Sequence, residues 1–117
     1  MTENSKTIIR HLKDIEEERS TCGFRKRLVA AEDGTPLSAS YVAINDAKAH
    51  YHKQTTEFYY VLEGEGTLEL DGAPVPVSPG SAVLIRPNVR HRAVGNLVAL
   101  VVGTPPFHTD DLFLVDD

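Results

Sequence analysis

The chain has 117 residues, which is enough for one domain and leaves little room for a second hydrophobic core. Charged side chains make up 25% of it and give a net charge of -5, so the broad positive surface that binds nucleic acid is not expected. The one short basic run, Arg25 to Arg27, is interpreted as a solvated strand edge.

Residues 1–20 differ in character from the rest and are predicted to be an N-terminal extension to a single domain of residues 21–117. Four apolar side chains are spaced to lie on one side of this extension: Ile8, Ile9, Leu12 and Ile15. A short helix and an edge strand both fit that spacing. The extension has neither a transmembrane run nor a secretory signal, which predicts a cytoplasmic protein without a membrane partner. The single cysteine, Cys22, suits a reducing compartment and is interpreted as a packing residue rather than a nucleophile.

From Cys22 onward, short apolar segments alternate with Gly, Pro and Asn turn signals. The predicted strands are residues 24–31, 38–44, 49–52, 57–62, 67–70, 74–77, 82–85, 91–94 and 97–102. Residues 63–66 are predicted to be a turn, and Asp71-Gly72 is a strong hairpin signal. Many short strands at near-regular spacing, with no βαβ unit, predict an all-β sandwich or barrel. The tail from residue 104 is expected to pack back on the barrel or on a neighbouring subunit.

Three of the five histidines and one glutamate have a spacing that can bring them together. His50 and His52 are two apart on a predicted strand, so their side chains point to the same face. Glu57 follows a polar, turn-like segment, and His91 follows a proline turn that can deliver it to the same place. Three imidazoles and a carboxylate are suitable ligands for one divalent ion: Fe, Mn, Ni, Zn or Cu. They would leave two positions open on an octahedral ion, or close a tetrahedral zinc site.

Two segments around these residues resemble the two motifs of the cupin superfamily. Residues 50–64, HYHKQTTEFYYVLEG, resemble the first motif, which is HxH, three or four residues, Glu, six residues, Gly. Residues 79–91, PGSAVLIRPNVRH, resemble the second motif, which is Gly, five residues, Pro-x-Gly, two residues, His. The 15 residues between Gly64 and Gly80 match a compact member of that family.

The resemblance has four departures, and none of them removes a ligand; one is Gly95, which stands where an Asn is expected after His91. Ile44 stands where the first motif usually opens with Gly, and Arg86 and Asn88 replace the Pro and the Gly of the second motif. Asn can still take a left-handed turn conformation. The sequence also predicts positive φ angles at four turn glycines: Gly64, Gly66, Gly72 and Gly80.

The resemblance implies a double-stranded β-helix, or jelly-roll barrel, with a metal ion in its mouth held by His50, His52, Glu57 and His91. It implies a small metalloenzyme that acts on a small organic molecule, foremost a dioxygenase and then an isomerase. The alternative is a non-catalytic module that binds a small molecule or a sugar. A homodimer is expected from the apolar tail, and the resemblance implies it because members of that family commonly dimerise.

Three side chains are catalytic candidates. Glu57 would stay bound to the ion or swing away as a base. Tyr59 shares a strand face with Glu57, so it either lies near the metal and donates a hydrogen bond to a ligand or is a packing residue. Arg86 either pairs with an anionic substrate or lies at the surface.

Overall fold

The computed structural model describes residues 2–3 and 6–115, and over those residues the chain is all-β. The strands are β1 (Thr2–Glu3), β2 (Ile8–Ile9), β3 (Glu18–Ser20), β4 (Gly23–Val29), β5 (Ser38–Asn45), β6 (His50–Tyr51), β7 (Thr56–Leu70), β8 (Ala73–Val77), β9 (Ala82–Ile85), β10 (His91–Thr104) and β11 (Phe113–Leu114). Three single turns of 3₁₀ helix stand between them: Leu12–Asp14, Ala31–Asp33 and Thr109–Asp111.

Strands β3 to β11 form one curled sheet in the shape of a half-barrel, with β10 at its centre. Strand β10 pairs antiparallel with β7 along its whole length and with β5 along its second half. The sheet continues from β5 to β4 and β3 on one side, and from β7 to β8 and β9 on the other. Strands β6 and β11 extend the sheet beside the start of β10. This arrangement confirms the predicted all-β cupin fold.

Side chains alternate between the two faces of the sheet, as the pleat requires. On β7 the inner face carries Glu57, Tyr59 and Val61, all buried, whereas the intervening side chains are exposed. Leu68 and Val61 are the largest fully buried side chains, and each contributes about 1.5–3 kcal/mol by leaving water. The hydrophobic core therefore lies inside the curl, next to the predicted metal ligands.

Strands β7 and β10 are each longer than the sequence predicts. The predicted turn at residues 63–66 is wrong, because β7 continues through it with a bulge opposite Val98 and Ala99. Gly64 has a φ of +84°, as predicted, and a side chain there would collide with the main-chain oxygen of Asn96. Gly66 does not have a positive φ, so that prediction is wrong. Its requirement for glycine comes from the close approach of the main chain of Val94.

The N-terminal extension forms a separate two-stranded sheet, one 3₁₀ turn and the edge strand β3 rather than a helix. Strand β2 pairs with β1, and β3 joins the edge of the main sheet by pairing with β4. Arg10 ties the extension to the domain with hydrogen bonds of 2.7 and 2.8 Å to the carboxylate of Asp33. The domain boundary at residue 20 stays a prediction, and residues 1, 4, 5, 116 and 117 lie outside the described part of the chain.

The C-terminal tail packs back on the barrel, which is one of the two predicted outcomes. Strand β11 pairs with β6, and the ring of Phe113 stacks on that of Tyr51 with centroids 5.4 Å apart. Within the ranges that the structure describes, no helix is long and apolar enough to cross a membrane.

Candidate metal centre

All four predicted metal ligands meet at one point inside the barrel. His50 ends up beside His91 because the two are register partners between β6 and β10, and His52 follows on the same side of the chain. Glu57 is the second residue of β7. One potential ligand atom from each residue lies within 4.8 Å of those of the other three, and all four side chains are buried. The cluster is compatible with a metal site of the kind that cupins carry.

The three histidine rings are held in one orientation by the main chain. Each Nδ1 atom lies 2.8 Å from a main-chain carbonyl oxygen: that of Lys48 for His50, that of Asp111 for His52 and that of Val89 for His91. A carbonyl oxygen can only accept, so each Nδ1 carries a proton and donates it. In the neutral rings the lone pair is therefore on Nε2, the atom that a metal ion would bind.

The carboxylate of Glu57 faces two of these Nε2 atoms. Its Oε1 lies 3.1 Å from Nε2 of His91 and 3.2 Å from Nε2 of His52. The Nε2 atom of His52 is buried and makes no hydrogen bond with the described residues. While the rings are neutral, these Nε2 lone pairs and the carboxylate repel one another unless a proton or a divalent cation lies among them. The donor set and its geometry therefore fit a first-row divalent ion.

The pKa shifts of Glu57 and His50 suit metal ligation, whereas that of His52 opposes it, because a ligating ring must be neutral. Burial raises the pKa of Glu57, but the hydrogen bonds and charges of His52 and His91 outweigh burial and lower it to about 2. Burial, followed by the charge of His91, lowers the pKa of His50 to about 4. Burial also lowers the pKa of His52, but Glu57 reverses that effect and the net shift is upward. At neutral pH the carboxylate is therefore ionised and His50 is neutral, as ligation requires.

Asp111 organises this site from outside both motifs. Its buried carboxylate accepts hydrogen bonds from three consecutive main-chain N–H groups: those of Lys53 at 2.9 Å, Gln54 at 3.1 Å and Thr55 at 3.0 Å. These residues form the loop that joins His52 to Glu57, and the carbonyl of Asp111 also holds the His52 ring. The sequence prediction missed this residue, because the partners are 59 positions apart and the tail carries several acidic residues.

A cavity of about 70 Å³ is lined by three of the four clustered side chains, His50, His52 and Glu57. Its apolar wall includes Val42, Ile44 and Leu112, and Tyr59 also faces it. The Tyr59 ring lies 6.3 Å from that of His91, centroid to centroid, and the side chain that carries the phenolic hydroxyl is buried. Burial raises the pKa of that hydroxyl well above its ordinary value, so it is a donor at neutral pH. A small molecule in this cavity would contact both the ligands and the phenol.

Three other side chains differ in their relation to this cavity. Arg86 is exposed and is not one of the residues that line it. Cys22 lines it, and burial raises the pKa of its thiol to about 11, which suits the predicted packing role better than a nucleophile. Arg25 also lines it, so the interpretation of Arg25 to Arg27 as a solvated strand edge is wrong for this residue.

Several solved structures share this fold. A protein from Planctomyces limnophilus superposes with a TM-score of 0.88 at 33% identity, over 94% of this chain and 98% of that one. Ectoine synthase from P. lautus has a TM-score of 0.74 at 26% identity, over 86% and 80% of the two chains. The nucleoside dehydratase Pac13 has a TM-score of 0.82 at 17% identity, over 94% and 92%, which supports the fold alone.

Curated relatives match by sequence over shorter segments. An uncharacterized protein of Methanocaldococcus jannaschii is 32% identical over 71 residues, which is 57% of each chain. Quercetin 2,3-dioxygenase of Bacillus subtilis is 33% identical over 70 residues, or 56% of this chain and 21% of that enzyme. The matched segments thus span between about a fifth and just over half of these relatives. The family model of the cupin domain matches residues 43–102, which contain all four clustered side chains. The chain therefore belongs to the cupin family.

Proposed function

We propose that the chain is a small metalloenzyme that binds one divalent ion through His50, His52, Glu57 and His91. The observation that carries this proposal is that all three rings are anchored in the same way. Each is fixed by its Nδ1–H on a main-chain carbonyl, so three Nε2 atoms and one carboxylate are available at a buried point beside a cavity. Sites of this construction hold catalytic metals in many enzymes because they leave coordination positions open.

The reaction class that we propose is dioxygenation, and the ion is iron(II). Four protein ligands would leave an octahedral ion two adjacent positions, which suit a bidentate substrate and O₂. Tyr59 would donate a hydrogen bond to a substrate oxygen, and the apolar wall of the cavity would exclude water from the reacting atoms. Similarity to a quercetin 2,3-dioxygenase supports this class. An isomerase is a weaker proposal, since Glu57 is the only carboxylate among the described residues that line the cavity and it already faces two imidazoles.

Elemental analysis of the purified protein tests the metal site. We expect about one first-row ion per chain, and its loss in a His52→Ala variant. His11→Ala is the matched control because that side chain is exposed and lies in the N-terminal extension, and it should keep the wild-type metal content. Equal metal content in the wild type and in His52→Ala would contradict the site.

Turnover tests the enzymatic part separately. The metal-free protein is loaded anaerobically with iron(II), and O₂ consumption is measured with a panel of enols and catechols. Oxygen uptake that depends on both iron and substrate is the expected result. A protein that binds its ion and a panel compound, yet turns over none of them with any first-row metal, would instead be the non-catalytic binding module.

We also propose that two copies associate through the outer face of the sheet. This face carries apolar side chains on five strands, with Lys26 of β4 beside Tyr41: Phe24 of β4, Tyr41 of β5, Leu100 of β10, Tyr60 of β7 and Leu84 of β9. Phe58 and Leu84 are register partners on it and are 36% and 56% exposed. Because the chain has a net charge of -5, a mainly apolar face is where two copies approach with the least repulsion. Light scattering of a Leu84→Glu variant, expected to be monomeric, tests this interface against a dimeric wild type.

A further inference from the structure

We propose that Arg25 is the anion-binding residue of the cavity, and that the substrate therefore carries a carboxylate held there while its other end faces the four metal ligands. This inference rests on the metal site proposed above. It assigns a substrate class, small carboxylic acids, to a site whose ligands leave that class open.

The strand register turns Arg25 inward. Arg25 of β4 is the register partner of Val42 of β5, and opposed residues of an antiparallel pair lie on the same face of the sheet. The inner side chains of β5 change from apolar Ile44 and Val42 to polar Ser40 and Ser38 along the cavity wall. The guanidinium therefore lies at the polar part of the same cavity that His50, His52 and Glu57 line.

One nitrogen of the Arg25 guanidinium, Nε, has no hydrogen-bond partner among the described residues. This atom is buried, and the side chain is 21% exposed. The nearest carboxylate oxygen, on Glu18, lies 3.7 Å away, and that same atom already accepts a 2.7 Å hydrogen bond from Nε of Arg27. A largely buried cation without an adequate partner is costly, so a bound anion would stabilise this arrangement.

The cation and the metal ligands share one wall of the cavity. The ring of Phe107 lies 5.6 Å from the guanidinium carbon of Arg25, and its centroid lies 5.5 Å from that of His52. The main-chain N–H of Phe107 donates to Oγ of Ser38, which leaves the hydroxyl proton of Ser38 free for another acceptor. A guanidinium and a hydroxyl together can hold the two oxygens of one carboxylate.

The positive charge available in this cavity favours a bound carboxylate over a bound phosphate. Phosphate dianions are usually bound by clusters of arginines. Arg27, the neighbouring inward arginine, is already paired with Glu18 and Glu32, with its NH1 nitrogen 3.2 Å from both Glu32 oxygens. One remaining guanidinium matches a planar monoanion in charge and shape. A wider groove of about 480 Å³ continues outward from Arg25, Ser38 and Ser40, so there is room for a larger substituent.

Paired metal-binding probes test this proposal. The monohydroxamates of malonic, succinic and glutaric acids are compared with alkyl hydroxamates of matching length, by calorimetry on protein loaded with its own metal. Each pair shares the group that chelates the ion and differs in the distal carboxylate. We expect at least one acid to bind about 10- to 100-fold more tightly than its neutral counterpart, the advantage of a charge-assisted hydrogen bond.

The variants separate Arg25 from the general charge of the protein. Arg25→Gln should abolish the preference for the acid while keeping the affinity for the neutral hydroxamate and the metal content. Arg25→Lys should retain part of the preference, and Arg92→Gln, a surface charge paired with Glu69, should retain all of it. Equal binding of acid and neutral probes at every length, or a preference that survives in Arg25→Gln, would overturn the assignment. If the neutral hydroxamates show no metal-dependent binding, the proposed metal site itself fails, and the assignment fails with it.

Discussion

The main-chain oxygen of Asp111 accepts a 2.8 Å hydrogen bond from Nδ1 of His52, across 59 positions of the sequence. The carboxylate of the same residue accepts the N–H groups of the loop that leads from His52 to Glu57. One residue of the C-terminal tail thus fixes both the ring orientation of one ligand and the path of the chain to the next. Groups of this kind, which act on a ligand rather than on the ion, commonly change metal affinity by about 10- to 100-fold.

We therefore predict that Asp111→Asn lowers metal affinity by about 10- to 100-fold. The amide would place an NH₂ group against main-chain donors that need an acceptor, so the loop between His52 and Glu57 would move. Competition with a chromogenic chelator measures the affinity. Asp110→Asn is the matched control, since the Asp110 side chain is 90% exposed and should be replaceable at no cost. Equal affinity in both variants would mean that the histidines orient themselves without this support.

Tyr59→Phe tests whether the phenol contacts a ligand or only packs. The substitution keeps the buried ring and removes only the hydroxyl, so folding and metal content should be unchanged. If the hydroxyl donates to a bound ligand, the affinity of the neutral hydroxamate probes should fall by about 3- to 10-fold, the worth of one neutral hydrogen bond. Calorimetry on the metal-loaded variant measures the change. Unchanged affinity for every probe would leave packing as the role of this residue.

The thiol of Cys22 should react slowly, and with a specific dependence on pH. Burial raises its pKa to about 11, so the reactive thiolate is scarce at neutral pH and its fraction grows about tenfold per pH unit up to that value. Iodoacetamide labelling, followed by mass spectrometry, should therefore keep accelerating through pH 9.5. The urea-unfolded protein is the control, and its rate should be half-maximal near pH 8.5, where a free thiol titrates, and should level off about one pH unit higher. A plateau below pH 9 in the folded protein would show that Cys22 is an activated thiol.

The sequence predicts the four clustered side chains because their placement follows from local spacing. Histidines separated by two positions share a strand face. The short polar loop after His52 limits the positions that Glu57 can reach. The same alternation predicts which side chains of β7 point into the barrel. The whole cluster therefore needs only the correct strand assignments and one long-range pairing, that of His50 with His91.

Arg25 and Asp111 could not be found in this way, since each depends on a long-range arrangement. Arg25 faces the cavity only because β4 pairs with β5 in a register that sets it opposite Val42, and a basic run alone gives no register. Gly64 and Gly95 misled the strand prediction for a related reason. Each has a positive φ inside a strand, which local rules interpret as a turn. Both glycines lie within the β7–β10 pairing, which continues on either side of them.

Asn88 offers the sharpest test of the departures from the cupin motif. It stands where the family has glycine, and it adopts the left-handed conformation with φ of 71°. Its main-chain N–H donates to the carbonyl of His52, so this turn also supports a metal ligand. Asn88→Gly should keep the free energy of unfolding within about 0.5 kcal/mol of the wild type, because glycine takes this conformation without strain. Asn88→Ala should lower the free energy of unfolding by about 1 kcal/mol. A β-carbon disfavours the left-handed conformation, and alanine lacks the local polar contacts by which Asn offsets that cost. Urea unfolding of the metal-free variants measures both values. If the glycine variant loses as much as the alanine variant, the amide side chain rather than the backbone conformation accounts for the residue, and the interpretation of this position as a glycine substitute is wrong.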